Sequence, residues 1–379
     1  MRRKLRMGMV GGGRGAFIGA VHRMAAALDG TIELVCGAFS SDPERSRASG
    51  ADLLLPENRV YGSYEEMFER EAALDEDERM DFVVIVTPND EHARPATIAL
   101  ESGFSVMCDK PLCTSLDEAK ALEAVVRRTG LSFGLTHNYS GYPMVKEARA
   151  RVRDGALGTI RRVVAEYPQG WLASPLEDTG HKQASWRMDP KRAGVSCCVG
   201  DIGTHAAHLS EYITGLPIEE LAAELMTFGK GRSLDDDASM LLRLGGGARG
   251  VLWASQVAID EENGLNIRVY GEKGSLAWRQ EEPNTLVLKW PDRPRELVRA
   301  GANYAWLSRE ALAASRLPAG HPEGYLEAFA NLYRSFASAL LTGEKPDCPT
   351  VGDGVRGMAF IEAAVESSKR GGGWTRISA

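Results

Sequence analysis

The chain has no CxxC pair, no unbroken apolar run of membrane-spanning length, and no internal repeat or low-complexity tract. Without CxxC spacing, and with two of its six cysteines adjacent (Cys197 and Cys198), it suits neither a zinc site nor a disulfide framework. Those two, with Cys36, Cys108, Cys113 and Cys348, read as reduced thiols of a cytoplasmic protein. The missing apolar run argues against a transmembrane helix. The basic opening Met1-Arg2-Arg3-Lys4 is followed by an apolar stretch that glycines break at once, so it reads as the flank of a first strand and not as a signal peptide. A net charge of -7 spread over both signs gives no pull toward nucleic acid or a membrane surface. The expected partners are therefore small molecules and further copies of the chain.

At 379 residues the chain exceeds the usual size of one core, and two domains are expected. The first third alternates strand and helix patterns, with apolar runs at 5–10, 32–39, 82–86, 105–108 and 132–136, which implies a parallel sheet covered on both faces. Ligands bind such sheets outside the carboxyl ends of the strands. The first strand ends there in Gly11-Gly12-Gly13-Arg14-Gly15-Ala16-Phe17-Ile18-Gly19, which departs from plain GxGxxG spacing. Glycines at 11, 13 and 15 let backbone N–H groups approach a pyrophosphate, and the following helix N-terminus favours the anion. At the second strand's tip, Ser40, Ser41 and Arg45 suit a 2'-phosphate, whereas Asp42 suits a ribose, so both NAD and NADP stay open. Lys110 stands at the end of the fourth strand in "VMCDKPLCTS", where Pro111 restricts its backbone and aims the amine.

Beyond a boundary placed at 136/137, strand patterns dominate at 160–167, 219–228, 239–244, 250–259, 265–270 and 275–278. They imply a predominantly antiparallel sheet, with Gly245-Gly246-Gly247 joining a hairpin. Among them lies a helix pattern from about Asp201 to Gly215. Asp201 and His205, four apart, share one helix face, with His208 three further on. A metal site lacks a further ligand and an HExxH pattern, so none is expected. The pair reads instead as a general base oriented by a carboxylate, against the plainer alternative of a histidine satisfied in the core.

Four motifs in this order, "GGGRGAFIG", "TPNDEHA" at 87–93, "DKP" at 109–111 and "GDIGTHAAHL" at 200–209, resemble the Gfo/Idh/MocA oxidoreductases over nearly the whole chain. Asp109 stands where that family usually carries glutamate, a change of reach and not of charge. The resemblance implies a fold of α/β plus α+β class: a Rossmann NAD(P)-binding domain at 1–136, and at 137–379 a substrate-binding and oligomerisation domain built on a large antiparallel sheet. It implies a cofactor site drawn from Gly11, Gly13, Arg14, Gly15, Ala16, Phe17, Ile18, Ser40, Ser41, Arg45, Thr87, Pro88, Asn89, His92, Asp109 and Lys110, and a cis Lys110–Pro111 bond. It further implies hydride transfer between NAD(P) and a secondary hydroxyl of a sugar, glycoside, anhydrosugar or cyclitol. Here Lys110 stabilises the alkoxide, His205 is the base and Asp201 tunes it. Asn138, Tyr139, Trp171, Trp186, Arg187, Asp189 and His205 are the expected substrate residues, and a homodimer or homotetramer the expected assembly. Two alternatives are an oxidoreductive NAD-dependent glycosidase working through a transient 3-keto sugar, and a non-catalytic nucleotide-binding sensor.

Overall fold

The computed structural model describes residues 3–379. Its contacts divide the chain into two units. The first runs to Thr136 and takes back Phe329–Val355, while the second holds His137–Ala328 and Arg356–Ala379.

In the first unit, β1 (Leu5–Gly11), β2 (Ile32–Ala38), β3 (Phe82–Val86), β4 (Ser105–Cys108) and β5 (Phe133–Leu135) form one sheet in the order β2-β1-β3-β4-β5. Every pairing is parallel. Burial follows from that geometry: a parallel strand covered by helices on both faces has no solvent side, and all five residues of Phe82–Val86 are buried. The crossovers are α1 (Phe17–Ala27), α2 (Pro43–Asp52), α3 (Tyr64–Ala72), α4 (Ala93–Glu101) and α5 (Leu116–Thr129). Ser63 and Ser115 cap α3 and α5, each accepting a backbone N–H three residues on. The strand order steps outward on both sides of β1, so the loops after β1 and β3 flank a topological switch point.

The returning segment corrects the division at 137–379. Phe336 meets Phe82 edge to face at 5.4 Å between ring centroids, Tyr333 OH lies 2.6 Å from His22 Nδ1, and Arg334 pairs with Asp29 through two bonds of 2.9 and 2.7 Å. An apolar helix face reads alike in sequence whichever sheet it covers, so local pattern did not assign these residues.

The second unit is built on nine strands: β6 (Ile160–Pro168), β7 (Ile218–Met226), β8 (Asp237–Leu244), β9 (Arg249–Ser255), β10 (Asn266–Gly271), β11 (Ser275–Arg279), β12 (Thr285–Lys289), β13 (Glu296–Arg299) and β14 (Thr375–Arg376). Their order is β13-β12-β11-β10-β6-β9-β8-β7-β14, antiparallel throughout except for the parallel pair β6–β9. Sequence reading had not placed β12, β13 or the two-residue β14. The glycine hairpin between β8 and β9 is present, with Gly246 and Gly247 at φ of 67° and 83°, values that favour glycine. Alternation sets one face inward, as with Leu252, Ala254, Ile267 and Val269, and leaves Leu241, Tyr270 and Leu297 exposed. The unit's helices are α6 (Pro143–Arg153), α7 (Lys182–Arg187), α8 (Pro190–Ala193), α9 (Thr204–Thr214) and α10 (Arg309–Ala313). The two late helices of the chain are α11 (Tyr325–Thr342) and α12 (Val351–Lys369).

Candidate active site

Each unit carries its own group of candidate site residues. In the first, β1 ends in a turn with Gly11, Gly12 and Gly15 at positive φ. Gly13 has no room for a side chain: a Cβ there would lie 2.6 Å from Ser49 Oγ and 2.7 Å from the Phe39 carbonyl oxygen. Gly12 is similarly close to α1, since its Cβ would stand 3.0 Å from Gly19 Cα. Ala16 precedes α1, and no side chain caps the helix. The unsatisfied N–H groups of that first turn and the bare glycine backbone are the features a pyrophosphate needs, so these residues fit a dinucleotide. Phe17 is exposed at the same turn.

At the β2 tip the two arginines already have partners. Arg14 forms a two-bond pair with Asp52, at 2.5 and 2.7 Å, and Arg45 Nη2 donates to the Arg14 carbonyl at 3.0 Å. Asp42 caps α2, accepting from the Glu44 and Arg45 N–H groups, and Ser40 Oγ accepts from Asp42 N. Ser41 is exposed.

The loops after β3 and β4 are tied together. Thr87 Oγ1 donates to the Glu91 carbonyl at 2.7 Å, Pro88 leads into the one-turn helix Asn89–Glu91, and Asn89 is buried. His92 lies within 2.8 Å of both the Thr87 and the Pro111 carbonyl oxygens. Asp109 Oδ1 accepts from the Lys110 N–H at 2.9 Å and from Thr136 Oγ1 at 2.7 Å. The shorter acid at 109 thus serves as the bracket for the Lys110 backbone. The Lys110–Pro111 bond is cis, as expected.

In the second unit, a π-helical turn over Val199–Gly203 precedes α9 and carries Asp201, with His205 in the first turn of α9. Such single wide turns recur at functional sites. Asp235 holds the turn's entry: its carboxylate accepts from Ser196 Oγ and from the Cys197 and Val199 N–H groups, at 2.9–3.0 Å. Burial raises the Asp235 pKa, and those three bonds oppose the rise. Asp201 Oδ2 accepts from Gln256 Nε2 at 2.9 Å and lies 3.2 Å from Arg187 Nε. The Arg187 guanidinium lies over the Trp186 ring at 4.3 Å.

His205 is buried among aromatic rings. Tyr139 meets it edge-on at 4.7 Å and His137 at 5.3 Å, while His137 stacks on His208 at 4.3 Å. Beside it the Tyr139 and Tyr167 hydroxyls lie 2.5 Å apart, Tyr167 OH donates to Asn263 Oδ1 at 2.6 Å, and Gln169 Nε2 donates to the same oxygen at 2.9 Å. Burial raises both phenol pKa values, so these rings stay neutral and keep their hydroxyl protons. Asn138 is buried beside Tyr139, and its Nδ2 has no hydrogen-bond partner.

The other expected substrate residues divide. Arg187 reaches Asp201, whereas Asp189 Oδ1 accepts the Lys191 N–H and so caps α8. Trp171 packs on the apolar cluster of Leu172, Ala184, Cys197 and Leu234, and Trp186 Nε1 donates to Gln183. Sequence reading missed Tyr167, Gln169, Gln256 and Asn263. Among the described residues no group of three or more His, Cys, Asp or Glu is placed to hold a metal ion, and no helix is long and apolar enough to cross a membrane.

The family model described as "Oxidoreductase family, NAD-binding Rossmann fold" matches residues 5–137, and that of the GFO/IDH/MocA C-terminal domain matches 145–277. The chain is 34% identical to the uncharacterized oxidoreductase YfiI of Bacillus subtilis, over 98% of this chain and 97% of that one. It is similar to the crystal structure of an inositol dehydrogenase homolog from Azotobacter vinelandii complexed with NADH and myo-inositol, with a TM-score of 0.91 and 37% identity over 99% and 98% of the two chains. It is also similar to levoglucosan dehydrogenase in complex with NADH and levoglucosan, with a TM-score of 0.86 and 25% identity over 99% of this chain and 100% of that one. A levoglucosan dehydrogenase from Pseudarthrobacter phenanthrenivorans is 26% identical over 74% of this chain and 75% of its own.

Proposed function

The chain belongs to the Gfo/Idh/MocA oxidoreductases, and on that premise we propose that it uses NAD to oxidise a secondary hydroxyl of a sugar, anhydrosugar or cyclitol. The observation that carries this reading is the setting of His205, a buried imidazole beside the hydroxyl network of Tyr139, Tyr167 and Asn263. A ring bearing several hydroxyls needs several fixed donors and acceptors, and a neutral phenol can serve as either. The solved relatives bound to myo-inositol and to levoglucosan point to the same class of polyhydroxylated ring.

NAD, when bound, supplies the hydride acceptor, and the glycine turn at 11–15 with the α1 N-terminus would hold its pyrophosphate. The chain's own residues manage the proton. A secondary alcohol is too weak an acid to lose hydride and proton without help, so His205 takes the hydroxyl proton. The Lys110 ammonium donates to the same oxygen and offsets its growing negative charge. Asp201 orients His205, and Gln256 and Arg187 hold Asp201 in turn. NAD is preferred over NADP because Arg14 and Arg45, the cations suited to a 2'-phosphate, already have partners in Asp52 and the Arg14 carbonyl.

The exposed apolar residues Leu241, Tyr270 and Leu297 on the outer sheet face support self-association into a dimer or tetramer. Light scattering checks this, and a monodisperse monomer rejects it.

The deciding experiment presents myo-inositol, levoglucosan and simple aldoses with NAD and with NADP, while recording cofactor absorbance and sugar products. A dehydrogenase forms one NADH per ketone. Cleavage of a glycoside without net NADH would replace this reading by the redox-recycling one.

A further inference from the structure

His92, expected among the cofactor residues, has its ring between two loop carbonyls. It is 1% exposed, with Nδ1 2.8 Å from the Pro111 carbonyl oxygen and Nε2 2.8 Å from the Thr87 carbonyl oxygen. Carbonyl oxygens only accept, so each contact is a hydrogen bond only if the nitrogen carries a proton, and both are bonds only in the doubly protonated ring.

We propose that His92 is a positioning residue for Lys110: its imidazolium donates from both nitrogens and clasps the loop after β3 to the loop that carries the amine. The proposal rests on the role given to Lys110 above. Asp109 already fixes the backbone on the amino side of Lys110 through its bond to the Lys110 N–H. The His92 bond to Pro111 fixes the residue on the other side. Between these two anchors the lysine backbone is held on both sides, which narrows where its side chain starts. Catalysis depends on such placement, since a misplacement of about 1 Å costs on the order of 100-fold in rate.

Two measurements test it. The first is NMR of the wild-type protein with ring-15N histidine, which needs no variant to fold. Two protonated ring nitrogens on His92 at neutral pH are expected, and a bare ring nitrogen overturns the clasp. The second is a cycle with His92→Gln, Lys110→Met and the double variant, following kcat and NAD affinity. In the Lys110 background His92→Gln is expected to lower kcat on the order of 10- to 100-fold, with NAD affinity within about twofold. In the Lys110→Met background it should lower kcat no further, because the group it positions is gone. Equal losses in both backgrounds mark a merely structural histidine and overturn the positioning role. Should Lys110→Met retain full activity, the catalytic reading fails while the NMR result for the clasp still stands.

Discussion

Gln256 Nε2 donates to Asp201 Oδ2 at 2.9 Å, from the end of a β-strand to the π-helical turn ahead of His205. The Gln256 side chain is wholly buried, and its Oε1 lies 3.3 Å from the Cys197 thiol, so the amide is held at both ends. Replacing it by leucine removes a group that holds the carboxylate oxygen. A hydrogen bond to a charged group contributes about 1.5–3 kcal/mol. Gln256→Leu is expected to lower kcat roughly 10-fold or more while leaving the dissociation constant for NAD unchanged, as read by steady-state kinetics and calorimetry. Unaltered turnover would show that Asp201 needs no such holder.

Removing the base or the amine should act on chemistry alone. His205→Asn and Lys110→Met are each expected to reduce kcat by about 100- to 10,000-fold, the usual contribution of a positioned proton acceptor or oxyanion donor. NADH binding, followed by its fluorescence, should be retained in both. Full turnover in either variant removes that residue from the proposed mechanism.

The glycine turn gives a prediction of the opposite kind. In Gly13→Ala the added carbon would meet the Phe39 carbonyl oxygen at 2.7 Å, and a backbone carbonyl in a sheet connection has little freedom to retreat. Nucleotide affinity is expected to fall by roughly 10-fold or more, with the melting temperature also lowered. Titration with NAD and a thermal melt check both arms.

Cofactor choice can be tested at the exposed Arg14–Asp52 pair. Asp52→Asn removes the carboxylate that engages the Arg14 guanidinium and leaves a cation beside the β2 tip. The ratio of kcat/KM for NADP to that for NAD should rise severalfold, more at low ionic strength than at high. An unchanged ratio places Arg14 away from the 2'-position.

His22 makes stability depend on acid. Burial lowers its pKa from 6.5 to about 4 in the folded chain, where Nδ1 meets Tyr333 OH. The unfolded chain therefore binds the proton more readily, so stability is full above about pH 6.5 and falls as pH drops toward 4, by roughly 3 kcal/mol in all. His22→Gln should flatten the stability profile in that window, measured by urea unfolding at pH 4.5 and 7.

What was readable in advance follows from how local each signal is. The turn at 11–15, the Lys110-Pro111 step and the Asp201–His205 spacing announce themselves because a steric or periodic requirement confines them to a few consecutive residues. Tyr167, Asn263 and Gln256 give no such sign. Tyr167 reads as an ordinary alternating position on β6, and only the pairing of β6 with β10 and β9 brings the others near it. The π turn is equally silent, since one extra residue per turn leaves no compositional mark. Asp189 and His92 show the converse: polar residues in the expected segments spend their hydrogen bonds on a helix cap and on loop carbonyls.

The nucleotide-binding sheet borrows part of its cover from Phe329–Val355. A ribosome releases β5 long before it has synthesised Tyr333 or Phe336, so the nascent amino-terminal portion emerges with Phe82 and His22 lacking their native neighbours. Maturation of this half must therefore await nearly complete translation, and a gene fragment ending at residue 136 encodes a sheet with a bare apolar flank.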